Sequence, residues 1–282
     1  MLEPVLLSVH DHYRSFADFT YVYPVVSRRA GGVSLGINLN PNRACNWQCV
    51  YCQVPNLTRG SAPPLNIQLL EQELKQALTM LLHTDYMQLH VPAGMRVFKD
   101  IAFSGDGEPT SCKAFDQALT IVEQMRHQFA LDANVKTRLI TNGSLMHRQQ
   151  VLDNVTHLQR LNGEVWFKLD AGTAKDIHRI NQVHMRPQQQ LARLRACATR
   201  CPTWIQTCVF AWHGEPPNTV FVEAYLDCLS QVSAVIAGVY VYGVARPSHQ
   251  PEAPWISAVS NPWLTAFAQQ IRQLGITVQV SE

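Results

Sequence analysis

Three cysteines fall within the stretch "RACNWQCVYCQ", at Cys45, Cys49 and Cys52, spaced C-x3-C-x2-C with Tyr51 before the last. Thiolates at such spacing hold zinc or iron–sulfur centres. Three thiolates are one short of closing a tetrahedral zinc site, and no second C-x2-4-C pair supplies the missing half. Cys197 and Cys201 stand at i and i+4 of a helical pattern. A cubane iron–sulfur cluster fits better, because its irons are held by thiolates alone and need no separate half-site. With three protein thiolates one iron stays open, and an open coordination position on a metal is a reactive one.

Elements that would position this loop can be read on both sides of it. "VSLGINL" reads as a strand leading into the cysteines, and Ile67, Leu70, Leu74, Leu78 and Leu81 recur at helical spacing after them. "VFKDIAFS", "VKTRLI", "EVWFKLD", "WIQTCVF", "AGVYVYGV" and "ITVQV" read as further strands. Between them lie helical patterns: Phe115, Leu119, Val122 and Met125, then 146–157, 188–200, 220–231 and 262–273. Strands separated by helices of this length pair in parallel through crossovers. The expected fold is α/β, a partial (β/α)6-type barrel of parallel strands with outer helices, with an open doubly wound sheet as the other arrangement of the same elements. An N-terminal lead over 1–30 would precede one domain over 31–282.

Either architecture carries function on the loops at the carboxyl ends of its strands. "NPNRACNWQCVYC", "SGDGEPT", "TNGSL", "DAGT", "FAWHGEPPN" and "GVARPSHQPE" all follow strands. The six loops therefore gather on one face.

Composition sets broad limits. The 282 residues are 46% hydrophobic and 16% charged, which is globular rather than disordered, and no apolar run approaches the length of a membrane helix. The start lacks the basic region of a signal peptide, so the expectation is a cytoplasmic protein whose thiols stay reduced. The net charge of +2 argues for no particular partner. Locally, six Lys and Arg residues stand against Asp176 alone between Lys175 and Arg200, either a solvated helix surface or a face for anions.

The cysteine motif, with its aromatic before the third cysteine, resembles the signature of the radical S-adenosylmethionine superfamily. "SGDGEPT" is similar to the glycine-rich strand end of that family, although Asp106 separates Gly105 from Gly107. "VSRRAGGVSLGINLNP", "CVYCQ", "GEPT", "TNGSL" and "KLDAGT" look more narrowly like a subgroup labelled Fe–S oxidoreductases, distantly related to the tRNA wyosine synthases. The likeness runs from about residue 25 to about residue 250.

That resemblance implies a [4Fe-4S] cluster on Cys45, Cys49 and Cys52, whose open iron binds the amino and carboxylate groups of S-adenosyl-L-methionine. One-electron reduction would then cleave the sulfonium to methionine and a 5′-deoxyadenosyl radical, which abstracts hydrogen from a substrate C–H bond. Tyr51 would lie near the adenine, or serve as an ordinary packed aromatic. Gly105, Asp106, Gly107 and Glu108 would bring backbone and carboxylate to the methionine ammonium, or form a plain turn. Thr141, Asn142 and Ser144 carry small polar groups suited to ribose hydroxyls or the carboxylate. Lys168 and Asp170 alternate on "FKLD", so both can point into a barrel lumen, to pair or to touch cofactor or substrate. Arg246 is a candidate anion contact. Cys197, Cys201, Cys208 and Cys228 read as buried small hydrophobes rather than a second cluster, and Cys112 as structural with a reactive thiol as the alternative.

Three functions remain distinguishable at this point. One is a radical enzyme on an unidentified small-molecule substrate, with an electron donor such as flavodoxin or ferredoxin and no membrane. A second is the same chemistry on tRNA, favoured by the basic segment. A third is a non-catalytic metal or electron-transfer module, which explains the cysteines but not the polar loops around them.

Overall fold

The chain is described here from a computed structural model that covers Leu7 and residues 18–281. Residues 1–6, 8–17 and 282 lie outside the described residues, and with them much of the expected lead. Eight strands form the principal sheet: β1 (Val22–Ser27), β2 (Gly32–Ile37), β3 (Phe98–Phe103), β4 (Lys136–Thr141), β5 (Gly163–Lys168), β6 (Thr203–Val209), β7 (Gly238–Gly243) and β8 (Val278–Ser281). They lie in sequence order across the sheet, β1 antiparallel to β2 and every later pair parallel. The sheet curls into a half-barrel, and all seven strands expected from the sequence are present in it.

Crossover helices cover the outside: α1 (Ile67–His83), α2 (Phe115–Gln128), α3 (Gln149–Arg160), α4 (Ala174–Asn181), α5 (Pro187–Ala198), α6 (Thr219–Ser230) and α7 (Asn261–Gln273). In α1 the apolar stripe that faces the core is Leu70, Leu74, Ala77, Leu78 and Leu81. Helix starts are marked by side chains that accept from orphan N–H groups, as Asn66 does from Leu69, Asn218 from Phe221 and Ser260 from Trp263. Among the described residues, no helix is long and apolar enough to cross a membrane.

Successive strand residues face opposite sides, and here the two sides differ in chemistry. Leu35, Ile37, Ile101, Phe103, Leu139, Val165, Phe167, Ile205, Val239 and Val241 are buried in the main core. Ser34, Asp100, Arg138, Trp166, Lys168, Gln206 and Tyr242 line a cavity on the concave side.

Strand β1 and helix α4 were not among the elements expected from the sequence. Strand β1 lies within the first 30 residues and closes a hairpin onto β2, with Gly31 at φ +70° in the turn. Its entry is tied down by Glu73 of α1, which is 2% exposed and accepts from the backbone N–H groups of Thr20, Tyr21 and Val22. Helix α4, the other, follows β5 and turns out to support the cysteine loop.

Candidate active site

The loop after β2 carries the cysteines and is pinned first by asparagine. Asn38 Oδ1 accepts from the N–H groups of Asn40 and Asp106, both at 3.0 Å, while its Nδ2 donates to Asp106 Oδ2 at 2.7 Å. Two strand ends can come this close only because the partner loop is glycine. A Cβ on Gly105, at φ +145°, would stand 2.4 Å from Asn38 Oδ1, and one on Gly107 would stand 2.1 Å from the Ala44 carbonyl oxygen. The strand end "SGDGEPT" is thus shaped by the cysteine loop lying against it.

Cys45, Cys49 and Cys52 all line the concave cavity. Burial pushes the Cys45 thiol up to about 11 and the Cys49 thiol up to about 12, so neither ionises at neutral pH without a cation to displace the proton. Their sulfurs meet donors rather than apolar walls alone. Asn181 Nδ2 lies 3.3 Å from Cys49 Sγ, and the Trp47 N–H lies 3.5 Å from Cys45 Sγ. Among the described residues no three His, Cys, Asp or Glu side chains converge on a point where a single ion would sit. Three thiols on one cavity wall, two of them with N–H···S contacts, are a donor set that an iron–sulfur cluster can use.

Around these thiols the loop is clamped from distant parts of the chain. Its Gln48 and Val50 N–H groups donate to the carbonyls of Asn181 and Ile180 at the end of α4. From the far side, the Ser248 hydroxyl donates to the Val50 and Cys52 carbonyls, and Gln250 Nε2 to those of Cys52 and Val54. Arg59 spans the outside, reaching the carbonyls of Asn46 and Gln182. Asp170 gathers three donors: the Tyr51 hydroxyl at 2.6 Å, Asn181 Nδ2 at 2.8 Å and the Cys208 N–H at 3.0 Å. Its carboxylate is 3% exposed and organises the loop. Lys168, two residues before it, lines the cavity with its Nζ 5.2 Å from the Tyr51 ring centroid. Burial works against the Lys168 charge, yet Tyr242, Cys49, Asp170 and Cys52 around it raise its pKa above the usual lysine range.

Glu108 performs the equivalent task between β3 and β4. It is 2% exposed and accepts from the Thr110 N–H and hydroxyl, the Thr141 hydroxyl at 2.7 Å and the Asn142 N–H at 2.7 Å. Asn142 Nδ2 in turn donates to Asn46 Oδ1, and Asn46 Nδ2 to the Ser144 hydroxyl. The "TNGS" turn is thereby hydrogen-bonded to the cysteine loop, and Asn46, between the first two cysteines, is the coupling residue. Gly143 sits at φ +70°, where a Cβ would run into the Phe167 ring.

The cavity measures about 280 Å³. Tyr51, Gly105, Asp106, Gly107, Glu108, Thr141, Asn142, Lys168 and Arg246 line it with the three cysteines; Ser144 and Asp170 support it through the bonds above. Cys208 lines it too, whereas Cys112, Cys197, Cys201 and Cys228 are buried in the main core. Asn46, Asn181, Ser248 and Gln250 act here without having stood out in the sequence. Only α4 left a trace: Thr173 accepts from the Asp176 N–H, a Thr-x-x-Asp helix start. In the basic segment, Arg179 pairs with Asp176 at 3.0 Å, and Arg195 and Arg200 donate to the carbonyls of Gln231 and Ala196.

No family model matches the chain. A curated GTPase Obg of Brachyspira hyodysenteriae is 28% identical over 183 residues, 64% of this chain and 23% of that protein. A UPF0026 protein of Helicobacter pylori is 27% identical over 165 residues, 58% of this chain and 46% of that protein. The chain therefore spans less than half the length of these relatives. Among solved structures, SuiB of Streptococcus suis bound to S-adenosylmethionine superposes with a TM-score of 0.56 at 15% identity, covering 89% of this chain and 47% of that one. A radical SAM methyltransferase from Sphaerobacter thermophilus also gives 0.56, at 14% identity, covering 92% and 68%. The chain shares the fold of radical S-adenosylmethionine enzymes.

Proposed function

We propose that the chain is a radical S-adenosylmethionine enzyme acting on a small-molecule substrate in the lumen of its half-barrel. One observation carries the reading: three cysteines, a glycine strand end and a "TNGS" turn from separate strands share one polar cavity at the carboxyl ends of parallel strands. A likeness of fold to S-adenosylmethionine enzymes supports it.

Cys45, Cys49 and Cys52 would hold a [4Fe-4S] cluster, and the cavity wall beside them would hold S-adenosyl-L-methionine. When bound, the cluster would supply the electron that cleaves the sulfonium, and a donor such as flavodoxin or ferredoxin would replenish it. The chain's own residues bind, orient and exclude water. Lys168 brings a fixed positive charge against the thiolates and so favours their ionised, ligating form. Asn181 donates to Cys49 Sγ and also fixes Asp170, which holds the Tyr51 ring at the cavity wall. Glu108, spent on four protein donors, keeps the Thr141 and Asn142 groups at a set distance from the cysteine loop. The strand end from Gly105 to Glu108 also lines the cavity, so its carbonyl oxygens would be open to a ligand's ammonium.

The test is anaerobic reconstitution with iron and sulfide, reduction, and addition of S-adenosyl-L-methionine. The wild type is expected to form a brown protein and release 5′-deoxyadenosine, and Cys49→Ala to release none. A colourless protein that retains zinc, or an intact cluster that never yields 5′-deoxyadenosine with any candidate substrate, would sink the reading.

A further inference from the structure

Resting on the enzyme reading above, we infer that Gln206 and Arg29 form a substrate subsite in the lumen, selecting a carboxamide-type group next to a carboxylate. Gln206 lies in the middle of β6, level with Lys168 on β5 and Tyr240 on β7. It lines the cavity, is 1% exposed, and among the described residues has no hydrogen-bond partner at either Nε2 or Oε1. A buried amide with both ends unpaired is costly, and a valine or leucine would occupy a strand position without that cost. Its neighbours show how thoroughly such groups are otherwise satisfied. Within the same lumen Asp100 accepts from Ser34 and Arg138, and Glu164 accepts from Arg138 and from the Trp166 indole N–H.

An amide presents an acceptor and a donor side by side, so its complement presents a donor and an acceptor: a carboxamide, a lactam or a peptide unit. Arg29 adds the second element of recognition. Its guanidinium rests on the rings of Trp166, at 5.3 Å, and Tyr242, at 5.0 Å, which belong to the two strands flanking β6. Among the described residues no carboxylate pairs with Arg29, while Arg138 beside it has two. A guanidinium held on aromatic faces with its fork unpaired is arranged to take a carboxylate in bidentate fashion. The ligand class is accordingly an anionic amide.

Succinamate, which carries one carboxamide and one carboxylate, is the probe. Succinate lacks the amide and succinamide lacks the anion. Isothermal titration of the reconstituted protein in the presence of S-adenosyl-L-methionine is expected to show succinamate binding more tightly than either control. Gln206→Leu should weaken succinamate about tenfold or more, because a site built around a hydrogen bond rejects a partner that cannot return it. The same variant should melt no lower than the wild type, since it removes an unpaired buried polar group. Arg29→Met should weaken succinamate and leave succinamide unchanged. Equal binding of the three probes, no saturable binding of succinamate, or a Gln206→Leu variant that melts lower yet binds succinamate as before would each overturn the subsite. These readouts do not depend on turnover. A wild type that binds succinamate through Gln206 but never forms 5′-deoxyadenosine overturns the enzyme reading alone; one that forms it while binding ignores Gln206 overturns the subsite alone.

Discussion

The hydroxyl of Tyr51 donates to Asp170 Oδ2 at 2.6 Å, joining the cysteine loop to the loop after β5 across 119 positions of sequence. Asp170 also accepts from Asn181 and from the Cys208 N–H, so its loss strands three buried donors at once. Asp170→Ala should lower the stability of the cluster-free protein by about 3–5 kcal/mol, and Tyr51→Phe by about 2 kcal/mol. Because both remove the same bond, the double variant should cost little more than Asp170→Ala alone. Urea unfolding of the four proteins checks this, and additive losses would show that the Tyr51 bond contributes nothing through Asp170.

How much of this was visible beforehand follows from how far apart the partners lie. The seven parallel strands announce themselves as β-branched and aromatic runs, and the polar loops follow them directly, so the face that gathers those loops could be read from order alone. Strand β1 contains Pro24 and forms an edge hairpin with no helix after it, which hides it in a pattern of alternating strands and helices. Helix α4 has eight residues, short for a periodicity to register, and only Thr173 and Asp176 mark its start. Asn181 lies 132 positions from Cys49, and Ser248 lies 198 from Val50. Nothing local distinguishes an asparagine that will meet a thiol from one that caps a turn.

Glu108 reads in the sequence as a cofactor contact or part of a plain turn, and in the fold its Oε1 accepts three protein hydrogen bonds and its Oε2 one. Glu108→Gln keeps the shape but turns one acceptor into a donor facing Thr141 or the Asn142 N–H. A loss of about 1–3 kcal/mol is expected from the unpaired groups. Hydrogen exchange offers the sharper check, because the Asn142 amide, now bonded at 2.7 Å, should lose protection while the amides of β4 keep theirs. Unchanged protection at Asn142 would mean that Glu108 does not hold the turn.

Gly107 permits the approach of the cysteine loop, and Gly94 makes a fair control. A methyl at Gly107 would meet the Ala44 carbonyl oxygen at 2.1 Å, a backbone atom that cannot rotate away, whereas one at Gly94 meets nothing within 4 Å. Gly107→Ala is expected to cost on the order of 2–3 kcal/mol and to reduce iron loading on reconstitution, since the backbone just before Cys45 must shift. Gly94→Ala should change stability by less than about 0.5 kcal/mol and load normally. Equal iron content in the two variants would show that the close packing is not needed to present the thiols.

The buried thiols outside the cavity make stability fall at alkaline pH. Cys197 is fully buried, and burial pushes its thiol from 9.0 up to about 12, against a small opposing pull from Thr203 and Arg200. Below about pH 9 the thiol is protonated both folded and unfolded, so the full stability is present. As pH rises past 9 the unfolded chain ionises first, and folding is progressively disfavoured until the folded thiol titrates near 12. Near pH 11 this one group should have removed about 2–3 kcal/mol. Cys197→Ala therefore starts from a lower stability at neutral pH, having lost packing, but declines less steeply than the wild type. Urea midpoints measured across the alkaline range should bring the two curves together near pH 11. Parallel curves would mean that the Cys197 thiol ionises as readily inside the fold as outside it.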